Sequence, residues 1–293
     1  MDLSQQELYD SLKNIDADTI VMFNHTIQDG SDVKAFPTDV INGEMCQPPA
    51  QGHNPVRAVE GRACYLPFEY ELCSQQRGYE LLGHWDYPGA AWFTYGSGKS
   101  FMPSQRFPAE FLYQRIQLAY QRGAASVLLA CAPDYTGQFR QDDVAQLVKL
   151  GNMLKNPALA PPPSLTTGCQ AKASSIWHTN YTADKAMDGD PATRWGAAKG
   201  ATSGWLEVDF GKPATVSRAI ISEGWDRVRR FVLEARIGST WQPVTTGTTL
   251  GMFRSLFFEP VSAQVFRLNI TEATDVPTLW EFQFLPPTTE PPP

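Results

Sequence analysis

Three consecutive prolines, Pro161–Pro163, lie inside the stretch Asn156–Ser164 (NPALAPPPS) and divide the chain into two parts of different texture. Proline fixes φ and offers no backbone N–H, so the run continues neither a helix nor a strand ladder. It reads as a semi-rigid, exposed linker at 156–164. Before it, strand and helix patterns alternate; after it, short alternating apolar runs follow one another between turn residues. With 293 residues, two domains are the natural expectation. A hydrophobic content of 42% is ample for two packed cores. The net charge of -7, with no basic block to offset it, argues against a nucleic-acid partner. No apolar run reaches transmembrane length, so no membrane span is read. The first residues are polar and carry no apolar signal-peptide core.

The first part, 1–155, opens with a capping-box spacing, Ser4 and Glu7, ahead of a short helix whose apolar face is Leu8, Leu12 and Ile15. The strand Thr19–Asn24 follows. It ends at the polar tip Asn24–His25 and feeds a long loop that carries Asp39 and Glu44 and is interrupted by Pro37, Pro48, Pro49 and Pro55. A second strand is expected over Leu66–Cys73, and after it comes a Gly- and aromatic-rich loop containing Trp85 and Tyr87. Pro108 starts a helix with Phe111, Leu112, Ile116 and Ala119 inside and Gly123 as its stop. Ser126–Cys131 is a short apolar strand. Phe139–Lys155 is a helix with Val144, Leu147, Val148, Leu150 and Leu154 inside. Such alternation points to a parallel sheet or barrel, where polar residues at the C-terminal ends of strands build a site.

Beyond the linker, strands are expected at Trp205–Phe210, Ser217–Ser222, Phe231–Ile237, Ser255–Phe258 and Val265–Ile270, as in a β-sandwich. The tail 286–293 is Pro-rich and reads as disordered. The five cysteines (Cys46, Cys64, Cys73, Cys131, Cys169) form no CxxC pair, so a zinc site is not expected. Cys64 and Cys73 either pair or remain buried thiols. Sequons occur at Asn24, Asn180 and Asn269.

Three blocks of the second part carry a resemblance: KAMDGDPATRW (Lys185–Trp195), WLEVDFGKPATVSRAIISE (Trp205–Glu223) and VFRLNI ending in LWEFQF (Val265–Phe284). In this order they resemble a discoidin, or F5/8 type C, domain over 165–285. The resemblance implies a jelly-roll-like β-sandwich. It also implies a structural Ca²⁺ held by Asp188, Asp190, Thr193 and Glu281, hard oxygen donors on a Gly-containing turn; an N-cap and turn without metal is the plain alternative. Trp195 and Trp205 read as core. Trp225, in the polar loop EGWDR, reads as a sugar-stacking residue or as an edge residue covering the sandwich.

The first part resembles the C-terminal part of the α-L-fucosidases of glycoside hydrolase family 29. The carriers are the TIVMFN strand, the DVINGE loop, PFEYELC with HWDY behind it, and PAEFLYQRIQLAYQRGAASVLLACAPDYTG. The fold class this implies is α/β plus all-β, a partial (β/α)8-type barrel followed by the sandwich. About three strands in this part, against the eight of a barrel, imply an N-terminally truncated enzyme. The resemblance also implies a retaining hydrolase of terminal α-L-fucosides that needs no cofactor for catalysis. Its two carboxyls would stand about 5–5.5 Å apart. Glu44 matches the acid/base position, with Glu69 and Glu71 as runners-up. Asp2 falls near the position of the nucleophile, and an ordinary helix-terminal Asp is the alternative there. Asn24, His25 and Glu71 would contact substrate, with Trp85 and Tyr87 as an aromatic wall. The expected partners are fucosylated glycans, with a homo-oligomer or an upstream barrel fragment completing the sheet. Family habit implies an extracellular or periplasmic location. Two other readings compete with the enzyme: a non-catalytic carbohydrate-binding protein, and a structural partner that completes a barrel.

Overall fold

The computed structural model describes residues 4–23, 37–44, 56–59, 62–65, 67–73, 107–131, 133, 136–190, 193–251 and 253–287. Of these, residues 41–44, 56–59, 62–65, 68, 71 and 73 are described as backbone only. They fall into two compact units, one up to residue 160 and one from residue 161.

In the first unit, helix α1 (Gln5–Ile15) begins where Ser4 and Glu7 close a capping box. The Glu7 N–H donates to Ser4 Oγ at 3.2 Å and the Ser4 N–H to Glu7 Oε2 at 2.9 Å. Its apolar face does not bury as expected: Leu8 is 39% and Ile15 84% exposed. Polar contacts hold the helix instead. Asp39 accepts from the Tyr9 hydroxyl at 2.7 Å and the Val21 N–H at 2.8 Å, and pairs with Lys13 Nζ at 2.7 Å. Burial raises the Asp39 pKa, but the bonds from Lys13, Val21 and Tyr9 together outweigh it, and the carboxyl sits below its ordinary value. Asp39 is therefore a staple between helix and strand, a role its place in the sequence did not suggest.

The strands of this unit are β1 (Met22–Phe23), β2 (Val40–Glu44), β3 (Val56–Val59), β4 (Arg62–Tyr65), β5 (Phe68–Cys73) and β6 (Ser126–Ala130). Strands β1, β2, β5 and β6 form a sheet in that order, and every pair is parallel. The expected loop before Tyr65 contains structure: β2 carries Val40–Glu44 into the sheet, and β3 and β4 form an antiparallel hairpin. Helix α2 (Ala109–Gln121) buries Phe111, Leu112, Ile116 and Ala119, and Gly123 ends it at φ +89°. Helix α3 (Gln141–Lys155) turns the expected face inward only in part, with Leu150 buried and Val144 and Leu147 half-buried. Asp143, Leu150 and Met153 are buried, while Val148 is 57% and Leu154 43% exposed. The cause is polar. Arg140 and Asp143 pair at 2.7 Å in the interior, and Gln146 Oε1 caps α2 by accepting from the Ala109 N–H at 2.9 Å.

The second unit is a β-sandwich built on two 20-residue strands that bend between its layers. Its strands are β7 (Gln170–Ala173), β8 (Trp195–Gly196), β9 (Gly204–Glu223), β10 (Val228–Ile237), β11 (Thr240–Gly247), β12 (Arg254–Ala273) and β13 (Thr278–Leu285). The first half of β9 pairs with the second half of β12 (Trp205 with Asn269), and the second half of β9 with the first half of β12 (Ile220 with Ser255). Strands β7, β10 and β11 extend the first of these layers, and β13 and β8 the second. The five expected strands are thus segments of three continuous ones. At the corner, Asp209 Oδ1 accepts from the Gly211 N–H and from Gln264 Nε2, both at 2.8 Å, and Gly211 adopts φ +73°.

Between the layers, Leu206, Val208, Phe231, Leu233 and Leu268 meet Ala219, Ile221, Phe282 and Phe284, all fully buried. Phe266 and Phe284 close the centre with ring centroids 4.8 Å apart. Trp195 is fully buried, as expected, whereas Trp205 is half-buried on the outer face of β9. The pleat decides this, because Leu206 and Val208 take the inward positions. Gly247 on β11 leaves room for Phe231: a Cβ there would stand 2.5 Å from Phe231 Cζ. Gly247→Ala is expected to lower stability by roughly 1–3 kcal/mol. Denaturant unfolding would show it as a lower midpoint with an unchanged slope.

Candidate functional site

Strand β9 ends at Glu223, whose carboxylate is completely buried and organises the loop that follows. Its Oε1 accepts from the Arg227 and Val228 N–H groups at 2.7 Å each, and its Oε2 from the Gly251 N–H at 3.1 Å. The carboxylate thereby closes the turn Gly224–Arg227 and ties it to the segment before β12. Burial pushes the Glu223 pKa up; the three backbone N–H groups pull against this without cancelling it. Gly224 is required by close approach, since a Cβ there would stand 3.1 Å from Thr278 Cγ2 and 3.2 Å from Trp280 Nε1.

This turn presents Trp225 beside Trp280 of β13, with ring centroids 6.4 Å apart. The Arg194 guanidinium lies among three rings, 4.5 Å from the centroid of Tyr181, 4.9 Å from Trp280 and 5.4 Å from Trp225. It also donates to the Tyr181 hydroxyl at 3.3 Å. Arg227 covers Trp225 at 4.5 Å, donates to the Val276 carbonyl at 2.9 Å and pairs with Asp275 at 3.0 Å. Tyr181, Arg194, Trp225, Arg227 and Trp280 are all half-buried, so each keeps part of its surface open to solvent. Trp177, 48% exposed, stands at the margin: its backbone N–H donates to the Gly196 carbonyl at 2.7 Å, and Gly196 is bordered by Tyr181 and Thr278. Flat apolar faces interleaved with fixed N–H donors suit a ligand with one apolar face and a hydroxylated edge.

The expected metal turn is partly assembled. Within 3.1 Å of Thr193 Oγ1 lie both Asp188 carboxylate oxygens and the carbonyls of Lys185 and Asp190. Gly189 makes the turn at φ +76°, and Lys185 Nζ stands 3.4 Å from Asp188. Asp190 enters this set through its carbonyl. Glu281, buried on β13, accepts from Gln283 Nε2 at 3.4 Å. Among the described residues, no three His, Cys, Asp or Glu side chains are grouped to hold a metal. The donor set is one carboxylate, one hydroxyl and two carbonyls, all oxygen.

In the first unit, Glu44 is the last residue of β2 and lies in register with Glu71 on β5. Glu69, two residues before, accepts from the Ser126 hydroxyl at 3.0 Å. The side chains of Glu44 and Glu71 lie outside the described residues, as do Asp2, Asn24, His25, Trp85 and Tyr87 altogether. Cys169 is a free thiol, and the Cys64 and Cys73 side chains lie outside the described residues.

Of the residues expected to bind sugar, the structure places Trp225 in a cluster. Sequence reasoning missed Tyr181, Arg194 and Trp280, which reach that cluster from three separate segments. The available signals were the ATRW and LWEF blocks, each of which sets an aromatic or a cation beside a structural position.

Residues 170–282 match the family model described as F5/8 type C domain. No curated protein matches the sequence. Among solved structures, the chain is similar to chitosan-binding module 1 of a chitosanase/glucanase from Paenibacillus sp. IK-5, at 28% identity and a TM-score of 0.40. That match covers 42% of this chain and 98% of the module. It is also similar to a Ruminococcus gnavus GH29 fucosidase in complex with fucose, at 18% identity and a TM-score of 0.42, over 89% of this chain and 54% of the fucosidase. A third similarity is to the family 32 carbohydrate-binding module of NanJ from C. perfringens in complex with galactose. There the identity is 19% and the TM-score 0.36, over 39% of this chain and 91% of the module. The chain thus spans about half the length of the fucosidase.

Proposed function

We propose that the second unit is a glycan-binding module that takes sugar on the face formed by Trp225, Trp280, Tyr181 and Arg194. The observation that carries this reading is the Arg194 guanidinium held among three half-buried rings. Sugar C–H faces would stack on the indoles, and Arg194 and Arg227 would donate to ring hydroxyls. The ligand class is fucosylated or other neutral glycan. Titration calorimetry of the chain against 2′-fucosyllactose, galactose and triacetylchitotriose tests it, with saturable heat expected for at least one. Absence of binding across the panel counts against the reading.

A structural Ca²⁺ fits the oxygen set at Lys185 O, Asp188, Asp190 O and Thr193 Oγ1, with Glu281 as the further carboxylate named by the sequence. It would fix the turn immediately before Arg194 and so hold the guanidinium in place. Millimolar Ca²⁺ is expected to raise the melting temperature of the wild-type chain and to leave that of Asp188→Ala unchanged.

A second reading concerns the first unit, as part of a family 29 type barrel joined by the 156–164 linker to the module. It rests on Glu44, at the C-terminal end of β2, sharing a register position with Glu71, two residues before the end of the parallel strand β5, near where barrels carry their chemistry. Glu44 would serve as acid/base of a retaining α-L-fucosidase, and Asp2 or a partner chain would supply the nucleophile. If the chain releases the aryl group from an aryl α-L-fucoside, Glu44→Gln is expected to cut turnover by about 10²–10⁴. Turnover unchanged in Glu44→Gln contradicts the assignment.

A further inference from the structure

A second opening in the sandwich lies on the outer face of β9 and β12. It is a groove of about 420 Å³ lined by Ser174, Ser175, Ser203, Trp205, Asn269 and Thr271, with Gly204 and Ile270 between them. Trp205 and Asn269 are direct partners across the two strands, and Leu206, Leu268 and Ile270 bury on the opposite face. An indole and an amide therefore stand side by side on the outside of the layer.

The serines are oriented before any ligand arrives. Ser174 Oγ accepts from the Trp205 N–H and Ser175 Oγ from the Ala198 N–H, each at 3.0 Å, so both hydroxyls keep their protons to donate. The Thr271 hydroxyl donates to the Arg230 carbonyl at 3.3 Å and keeps its oxygen as an acceptor. Among the described residues, the Asn269 amide, the Ser203 hydroxyl and Trp205 Nε1 make no hydrogen bond. Among the described residues, no ionisable side chain lines the groove. Fixed neutral donors and acceptors beside a half-buried indole match a neutral, hydroxyl-rich ring and give an ionic ligand nothing to pair with.

The groove is also continuous in the chain with the aromatic face. Ser174 and Ser175 run directly into Ile176 and Trp177, and Trp177 borders the Tyr181–Gly196 end of that face. Ser174, in the groove, and Trp177, at the margin of that face, are therefore at most about 11 Å apart along the chain.

We propose that the Trp205–Asn269 groove is a second carbohydrate subsite that takes further neutral residues of a glycan already held at Trp225 and Trp280. The proposal rests on the glycan-binding reading above, and its test separates the two. The full chain would be produced in bacteria, because Asn269–Ile270–Thr271 is a sequon whose glycosylation would fill the groove. Indole N–H resonances would be followed by NMR during titration with 2′-fucosyllactose and triacetylchitotriose and with their monosaccharides. The expected result is that a bound oligosaccharide shifts Trp205 together with Trp225 and Trp280. Asn269→Ala should then weaken that oligosaccharide about tenfold while leaving its monosaccharide unchanged. Shifts at Trp225 and Trp280 with Trp205 unmoved by either oligosaccharide overturn the subsite and leave the aromatic face standing. No shift at Trp225 or Trp280 overturns both.

Discussion

Glu223→Ala is expected to destabilise the sandwich by roughly 3–5 kcal/mol, because it orphans three backbone N–H groups, one buried and two part-buried, at roughly 1–3 kcal/mol each. Release of the buried carboxylate offsets part of that sum. For a unit of this size the melting temperature should fall by about 10–20 °C. Arg227, Val228 and Gly251 would all lose their acceptor, so the turn that presents Trp225 would open as well. The pH dependence carries a sign. The folded pKa of Glu223 is raised by burial, so its contribution to stability is fully present below the ordinary Glu value and is lost as pH rises through the raised one. Glu223→Gln keeps an oxygen for two of the N–H groups and does not titrate. The advantage of wild type over Glu223→Gln should therefore be largest in acid and shrink toward neutral pH. Urea unfolding at a series of pH values checks this, and an advantage that grows with pH would contradict it.

Trp225→Ala combined with Trp280→Ala is expected to remove glycan binding. Each truncation of a central indole should weaken affinity by about 2 kcal/mol, a factor of roughly 30, and together they take it below detection. The fold should survive, because both rings are half-buried and lie outside the Phe266–Phe284 core. Arg194 would keep only Tyr181 as a platform. Calorimetry on the double variant reads the loss, and an unchanged far-UV spectrum separates it from unfolding.

Much of the sandwich was legible because strand alternation is local: Leu206 and Val208 turn inward while Trp205 and Glu207 turn outward. That same alternation was enough to place Trp205 outside, but its apolar identity pointed to the core. The continuity of β9 and β12 was hidden, because the corner depends on Asp209 meeting Gln264, 55 residues later. In α3 the burial of the Arg140–Asp143 pair rotated the inward face, which apolar counting does not detect. The site divides in the same way. Trp225 announced itself as an aromatic residue in a polar loop. Arg194, Tyr181 and Trp280 became a site only through tertiary packing, as did the Glu223 carboxylate with its three backbone N–H donors.

The most direct measurement is a glycan array probed with the whole chain and, in parallel, with the Trp225→Ala/Trp280→Ala variant. The chain is expected to mark a related set of neutral glycans and the variant to mark none of them. Equal marking by both proteins, or no marking by a folded wild-type chain, would contradict this.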